Sequence, residues 1–564
     1  MPRRTVPMSI FELPELVHHV SIFLKPCYRV RLACTNRSIF GAVMSRLWKQ
    51  VDNVSQILLL LPFIRDLNLT RVDLPFHLSE TDFSRLEVYA PWVQHLVIDL
   101  SNRLSDEEVE LICYYSLTRA LLPNLRSITS RSDPNLVAVA IPWIMPLLSP
   151  SLVSLDLTAT SCIQVRYPPW SVLLHALSTN CPSLTALAVI HDPESTRRFM
   201  PIMRDFGYSP NDDTDIINEE HKHGPGRFLA CICPLVSLSV SIDTLDRFCL
   251  DVISRWRSLE RLEIVMNLDE GCSLPEISEL AFPRLKHLAL YTINFTIDVF
   301  NTFWSVPALV GNLTSVKFAP VRWSYDDSNN KLLMHPQTLA NLVEKSPHVE
   351  DIWLKVHDVE ARNKVLDVPI AALDALLHSP LQSFHLEGVR LTGCENVPNY
   401  LAEAFPRLKM FGLPDHMLDF ADLRTFQARM PQLESIHLGI NAASLSSDLD
   451  CETSRIPHYR QSPFCVLNVN FLNQAQFGPW TSARLYEYHH GILLVRYLFS
   501  LWPYVQLRER RSGDWIIRPQ LPDGMLSLIN DHLSALSYCN NDPTVKYEDV
   551  GIFTEELWVN YDVD

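Results

Sequence analysis

Apolar positions along this chain fall into a recurring phrase. A proline or turn residue is followed by leucine, two variable residues, leucine, one variable residue and a third apolar residue. It reads SLVSLDL at Ser151–Leu157, SLTALAV at Ser183–Val189 and PLVSLSV at Pro234–Val240. It returns as SLERLEI ending at Ile264 and RLKHLAL ending at Leu290. The first apolar anchors of the copies are Val93, Leu125, Leu152, Leu184, Leu235, Leu259, Leu285, Leu313, Val349, Leu381, Leu408 and Leu433. Positions 1, 4 and 6 of the phrase suit a short strand whose anchors point inward, because side chains alternate along a strand. Between the phrases lie stretches with apolar residues at i, i+3, i+4 and i+7, which predict helices. They include Trp170–Asn180, Leu245–Trp256, His335–Ser346 and Ile370–Ser379.

The copies are spaced between 24 residues (Leu235 to Leu259) and 36 (Leu313 to Val349), apart from one gap of 51 (Leu184 to Leu235). That gap holds the polar, Pro- and Gly-marked residues 207–228, read as an inserted loop. In phrase and period the chain resembles leucine-rich repeats. The resemblance implies a fold of class α/β, a solenoid of short parallel strands and helices. One strand with one helix cannot bury its own apolar face, whereas stacked copies can. The solenoid is expected over residues 93–510, followed by a C-terminal cap and acidic tail over 511–564. Pro463–Phe471 reads as one further strand, and the residues up to Leu507 as an apolar helix and a final strand.

The N-terminus is patterned differently. Leu16, Val17, Val20, Phe23 and Leu24 share a helical face, with Pro14 in the first turn, where its missing N–H costs nothing. Lys25-Pro26 ends that helix. Val30, Leu32 and Ala33 start a second, and Ile39, Phe40, Val43, Leu47, Trp48 and Val51 lie on a third. Three short helices cannot enclose all of these residues, and a leftover apolar patch marks a partner.

Here the chain resembles the F-box family: LPELV at Leu13–Val17, Phe23-Leu24, LACTNRSIF at Leu32–Phe40 and Leu47-Trp48 stand in the family's order. The whole, with a divergent repeat region behind it, is of a kind common in basidiomycete fungi. The turn KPCYRV (Lys25–Val30) and Phe40 depart from the usual pattern. The resemblance implies an F-box at residues 8–55, a helical linker and the start of the solenoid at 56–92, and docking onto a Skp-type adaptor of a cullin–RING ubiquitin ligase. The adaptor contacts it implies are Leu13, Pro14, Leu16, Val17, Val20, Phe23, Leu24, Leu32 and Trp48. An alternative reading keeps the repeats as an interaction scaffold and makes the N-terminal helices their cap.

Residues between the anchors face the concave side of such a solenoid. Among them His287, Tyr291, Asp351, Trp353, Lys355, His385, Glu387 and His437 form the candidate binding surface for a protein substrate. Large amphipathic side chains of this kind dominate interface energy.

Composition narrows the remaining classes. A formal net charge of −16 over 564 residues disfavours nucleic-acid binding, which requires a basic footprint. Thirteen scattered cysteines without zinc spacing suit reduced thiols inside the cytoplasm or nucleus. No apolar run reaches the ~20 residues of a membrane helix. Thirty-nine prolines against 15 glycines suit helices and short strands joined by Pro-marked connections, rather than hairpins. No P-loop, G-x-S-x-G, G-x-G-x-x-G or H-E-x-x-H motif is present. A non-catalytic adaptor without cofactor or metal is the expectation.

Overall fold

The computed structural model describes residues 14–61, 83–99, 120–131, 144–157, 168–188, 231–241, 247–266, 277–294, 297–322, 336–355, 365–394, 396–441, 466–471 and 506–509, with the single residues Leu229, Leu498, Asn530, Leu533 and Ser534. Leu13, the insertion at 207–228 and nearly all of the tail at 511–564 lie outside the described residues. The chain forms two compact units. One comprises Met1–Asn267 with Pro275–Leu285, the other Leu268–Leu274 with Lys286–Asp564.

The first unit opens with three helices, α1 (Pro14–Ile22), α2 (Pro26–Ala33) and α3 (Arg37–Leu47). Lys25 is extended, and Pro26 follows in the first turn of α2, where no N–H is needed. Asn36 caps α3 by accepting the Ser38 N–H at 2.9 Å. Val17, Ala33, Ile39 and Val43 make the small core, flanked by Leu32, Phe40 and Leu47.

A two-residue strand, β1 (Gln50–Val51), then starts a parallel ladder. It pairs with β2 (His95–Asp99), and the order continues in sequence through β3 (Ser127–Arg131), β4 (Ser154–Asp156), β5 (Ala186–Ala188), β6 (Ser237–Ser241) and β7 (Arg261–Met266). The ladder therefore begins before residue 93, where the phrase is first legible. Its anchors are buried as the phrase requires. Leu152, Leu155, Leu157, Leu235, Leu238, Leu259 and Leu262 have no measurable exposure. The helices at Pro168–Asn180 and Arg247–Ser254 carry the connections.

The second unit repeats the plan. Strands β8 (His287–Asn294), β9 (Ser315–Arg322) and β10 (Asp351–Lys355) pair in parallel. After β10 the chain makes β11 (Leu366–Pro369), then β12 (Ser383–Glu387) and β13 (Val389–Thr392). The main ladder passes from β10 to β12 and on to β14 (Met410–Leu418), β15 (Ser435–Ile440), β16 (Val466–Phe471) and β17 (Gln506–Glu509). Strands β11 and β13 form a separate parallel pair. Helices fill the connections at Ile297–Trp304, Pro336–Lys345, Val397–Ala404 and Phe420–Arg429. The two units are thus α/β, with leucine-rich-repeat-like ladders of parallel strands.

Two local features differ from the pattern-based expectation. Ile370–Leu376 is a 3-10 helix rather than an α-helix. Its buried residues Ile370, Leu373 and Leu376 recur every third position, which matches three residues per turn. Strand β14 slips register between Leu413 and Met417, so Pro414, Asp415 and His416 leave the ladder. Proline has no N–H for a ladder bond, which makes this the natural place to break pairing. Asp415 leaves to accept the Gly388 N–H at 2.6 Å, and Gly388 takes φ 77°, a left-handed conformation that suits glycine.

Burial, then the neighbouring Arg390, lowers the His416 pKa from 6.5 to about 4. The unfolded chain takes up this proton as pH falls below 6.5, and the folded chain only near 4. The contribution of His416 to stability is therefore complete above pH 6.5 and declines between 6.5 and 4. Urea midpoints measured for wild type and His416→Gln should converge as pH is lowered through this window.

Candidate functional site

Two surfaces carry the residues singled out from sequence. On α1, the apolar residues divide between two faces. Val17 is 4% exposed and lies in the small core with Ser21, which is fully buried, one turn further on. Leu16, Val20 and Phe23 sit on the other side at 43%, 50% and 77% exposure. The Phe23 ring is held edge-on to His19, with centroids 5.7 Å apart. Leu24 is half-buried, and its carbonyl accepts from Arg29 Nε at 2.7 Å, which ties down the turn before α2. Pro14 opens α1.

Three of the implied adaptor contacts point inward. Val17 and the half-buried Leu32 pack in the core of the helices. The Trp48 ring is half-buried and lies against Tyr89 at 4.8 Å. Tyr89 and Trp92 also meet Phe40, with centroids 6.3 and 6.1 Å away. These four rings bind α3 to the short helices Ser84–Tyr89 and Ala90–Trp92 that precede β2. Trp48 is thus a seam residue between helices and ladder.

The second surface is the polar face of the ladder in the second unit. Strand β10 shows how it arises: Ile352 and Leu354 are buried, while Asp351, Trp353 and Lys355 alternate with them on the other side. Parallel register aligns these with His287 and Ser315, with Ser383, His385 and Glu387, and with Gly412 and His437. All the candidate substrate-binding residues therefore share one face.

They form a connected line. Lys317 Nζ stands 3.4 Å over the centre of the Trp353 ring and 5.1 Å from that of Tyr291. His385 meets Trp353 edge-to-face at 5.4 Å, and His437 follows at 5.3 Å from His385. Asp351 accepts from Ser315 Oγ at 2.8 Å. Lys355 Nζ lies 3.4 Å from Glu387 Oε1, and His385 Nε2 lies 3.8 Å from Glu387 Oε2. Trp353 Nε1 and His385 Nε2 are buried without a hydrogen-bond partner. Glu387 and His437 are themselves buried, at 5% and 8% exposure. Glu387 packs against both Lys355 and His385.

Lys317 and Gly412 belong to the site although reading the phrase passed over them. Both fall between anchors, Lys317 between Val316 and Phe318, and Gly412 between Phe411 and Leu413. Strict alternation was the signal that finds them. Gly412 is required by a close approach, since a Cβ built there would lie 1.8 Å from His385 Nδ1. The absent side chain lets His385 lie across β14 toward His437.

The polar face in the first unit is smoother. Its rows carry Ser127, Ser154, Ala186 and Ser237, with hydrogen bonds from Ser239 to Glu263 at 3.0 Å and between His95 and Ser127 at 2.8 Å. Among the described residues, no set of three or more His, Cys, Asp or Glu could hold a metal ion, and no helix is long and apolar enough to cross a membrane.

No protein-family model matches the chain. No curated protein matches it either. Among solved structures it is similar to an internalin (inlF) from Listeria monocytogenes, at 14% identity and a TM-score of 0.28, over 76% of this chain and 98% of that one.

Gly412→Ala should force the His385 ring away and cost about 1–3 kcal/mol, the usual penalty for overpacking. The same substitution in a His385→Ala background should cost markedly less, because the clash partner is gone. Denaturant unfolding of the four proteins in this cycle measures both values.

Proposed function

We propose that this chain is a protein-interaction scaffold and, more specifically, the substrate-recognition subunit of a Skp–cullin–F-box type ubiquitin ligase. The observation that carries the finer reading is the strip of Leu16 and Val20 on α1 with Phe23 just past its end. The small core behind it is already filled by Val17, Ala33, Ile39 and Val43, so the strip has no work to do inside the helices. An exposed apolar strip on a small N-terminal module is what an adaptor would cover. In this reading the polar face of the second ladder holds a protein substrate, with Trp353 and its neighbours as the anchor. The chain performs no bond chemistry. It raises the local concentration of substrate lysines beside the conjugating machinery, in the cytoplasm or nucleus.

One observation favours a second reading. Strand β1 pairs directly with β2, and the Phe40, Trp48, Tyr89 and Trp92 rings join α3 to the first repeat. The helices therefore also cap the ladder, and a capped scaffold without ligase partners would need the same contacts.

Co-expression with a Skp-type adaptor separates the two. The wild-type chain should form a 1:1 complex, and Val20→Asp/Phe23→Asp should weaken it about tenfold or more, as loss of interface anchors does. Both residues are exposed, so the variant should keep the wild-type thermal midpoint. A well-folded wild-type chain that leaves the adaptor unbound on size-exclusion chromatography would reject the ligase reading and leave the capped scaffold.

A further inference from the structure

The N-terminal helices combine exposed apolar surface with positive charge. Beyond the strip of Leu16, Val20 and Phe23, the side chains of Ile22, Tyr28 and Val30 are also exposed. Residues 14–51 carry Lys25, Arg29, Arg31, Arg37, Arg46 and Lys49 against a single carboxylate, Glu15. This is a basic module in a chain whose formal net charge is −16.

The cations with fixed positions are held by neutral groups. Arg29 Nε donates to Leu24 O at 2.7 Å, and its guanidinium also reaches Ile22 O at 3.4 Å. Arg29 thus serves the end of α1, where a cation suits the helix dipole. Arg46 Nη1 donates to His18 O at 3.4 Å, and Arg31 stands over the Tyr28 ring, 5.7 Å from its centre. Lys25, Arg31, Arg37 and Lys49 are exposed. Among the described residues, no ion pair joins any of the six to a carboxylate. Carbonyls and a ring fix position but leave the charge uncompensated. The field of the module therefore acts outward, over a Debye length of about 10 Å at 0.1 M salt.

From this combination we infer that the partner of the N-terminal helices presents an apolar groove rimmed by carboxylates, and that charge steers its docking. The inference rests on the reading of this module as a docking surface. Apolar burial holds the complex together, while complementary charge speeds encounter and fixes orientation. An anionic lipid surface would offer the same charge, but it would repel the rest of so acidic a chain. The occupant is therefore assigned as an acidic protein face.

The test uses the full chain and a Skp-type adaptor, with association followed by stopped flow at rising salt. The association rate constant should fall about tenfold from low to high salt, and dissociation should change much less. Lys25→Glu/Arg37→Glu should slow association about tenfold at low salt and flatten its salt dependence. Lys25 is the N-cap of α2 and Arg37 the first residue of α3, where a carboxylate suits the dipole, so the thermal midpoint should hold. Association that ignores both salt and the charge reversal overturns the acidic assignment and leaves the adaptor reading standing. If the adaptor does not bind, the ligase reading falls, and a displayed peptide library sorted on the full chain decides the charge assignment. Enrichment of peptides rich in both leucine and glutamate, lost in Lys25→Glu/Arg37→Glu, upholds the acidic partner, and its absence overturns it. Binding to phosphatidylserine vesicles in place of any peptide reassigns the surface to a membrane and overturns it as well.

Discussion

Each ladder is held in register by a backbone relay in which one carbonyl accepts two N–H groups from the next repeat. In the first unit, Lys49 O takes the N–H groups of Gln94 and His95, both at 2.9 Å. Gln94 O then takes those of Arg126 and Ser127, and the relay continues through Arg126, Val153, Thr185 and Val236. The second unit builds the same relay from Lys286, Thr314, Glu350, Gln382 and Lys409. A net contribution of about 1 kcal/mol per hydrogen bond is modest, but an unmade buried bond costs more. The relay therefore acts chiefly against slippage. A shift by one residue would leave its groups unpaired and turn every leucine anchor to the polar face.

That register is what gives the polar face its composition. Strand alternation decides only that Trp353 points away from Ile352 and Leu354. The relay decides that Trp353 stands level with Lys317 on one side and His385 on the other. A cation over an indole is worth about 0.5–2 kcal/mol, depending on how far it is desolvated. The contact between His385 and His437 has a different origin, since one strand, β14, runs between theirs. It exists because Gly412 leaves room. One cation and one missing methyl thus shape the middle of the surface, while the leucines behind it are interchangeable with those of any other copy.

Much of this was legible in sequence. The phrase located the main-ladder strands from β2 to β15, though not β11 and β13, because its leucines are constrained by burial and recur in near register. Alternation then placed the eight candidate residues on one face. Other features have no side-chain signature. Strand β1 is two residues long and lacks the phrase, since only Val51 is buried there. The relay is made of backbone atoms, and its carbonyls belong to Lys, Gln, Arg, Val, Thr and Glu alike. On α1, hydrophobic spacing alone could not say which of two apolar faces is hidden. The choice falls to Val17 and Ser21 because serine can return its hydroxyl to the helix, as Ser21 Oγ does to His18 O at 2.7 Å. The seam position of Trp48 and the burial of Glu387 and His437 follow from neighbours distant in sequence.

The seam at Phe40, Trp48, Tyr89 and Trp92 bears on how the proposed function would work. A receptor that acts by proximity gains little if its partner-binding helix swings freely on a flexible linker, because effective concentration falls as the accessible volume grows. Here the linkage is stiff on two counts. The chain leaves α3 and enters β1 within three residues, so the ladder starts where the helix ends. Four rings then close the angle between α3 and the helices that lead into β2. Aromatic pairs contribute about 0.5–1.5 kcal/mol each beyond the area they bury, with defined geometry. The direction of the Leu16–Val20–Phe23 strip is thereby fixed relative to the first ladder. Capping the solenoid and aiming a docking helix are then one structural task, performed by the same rings.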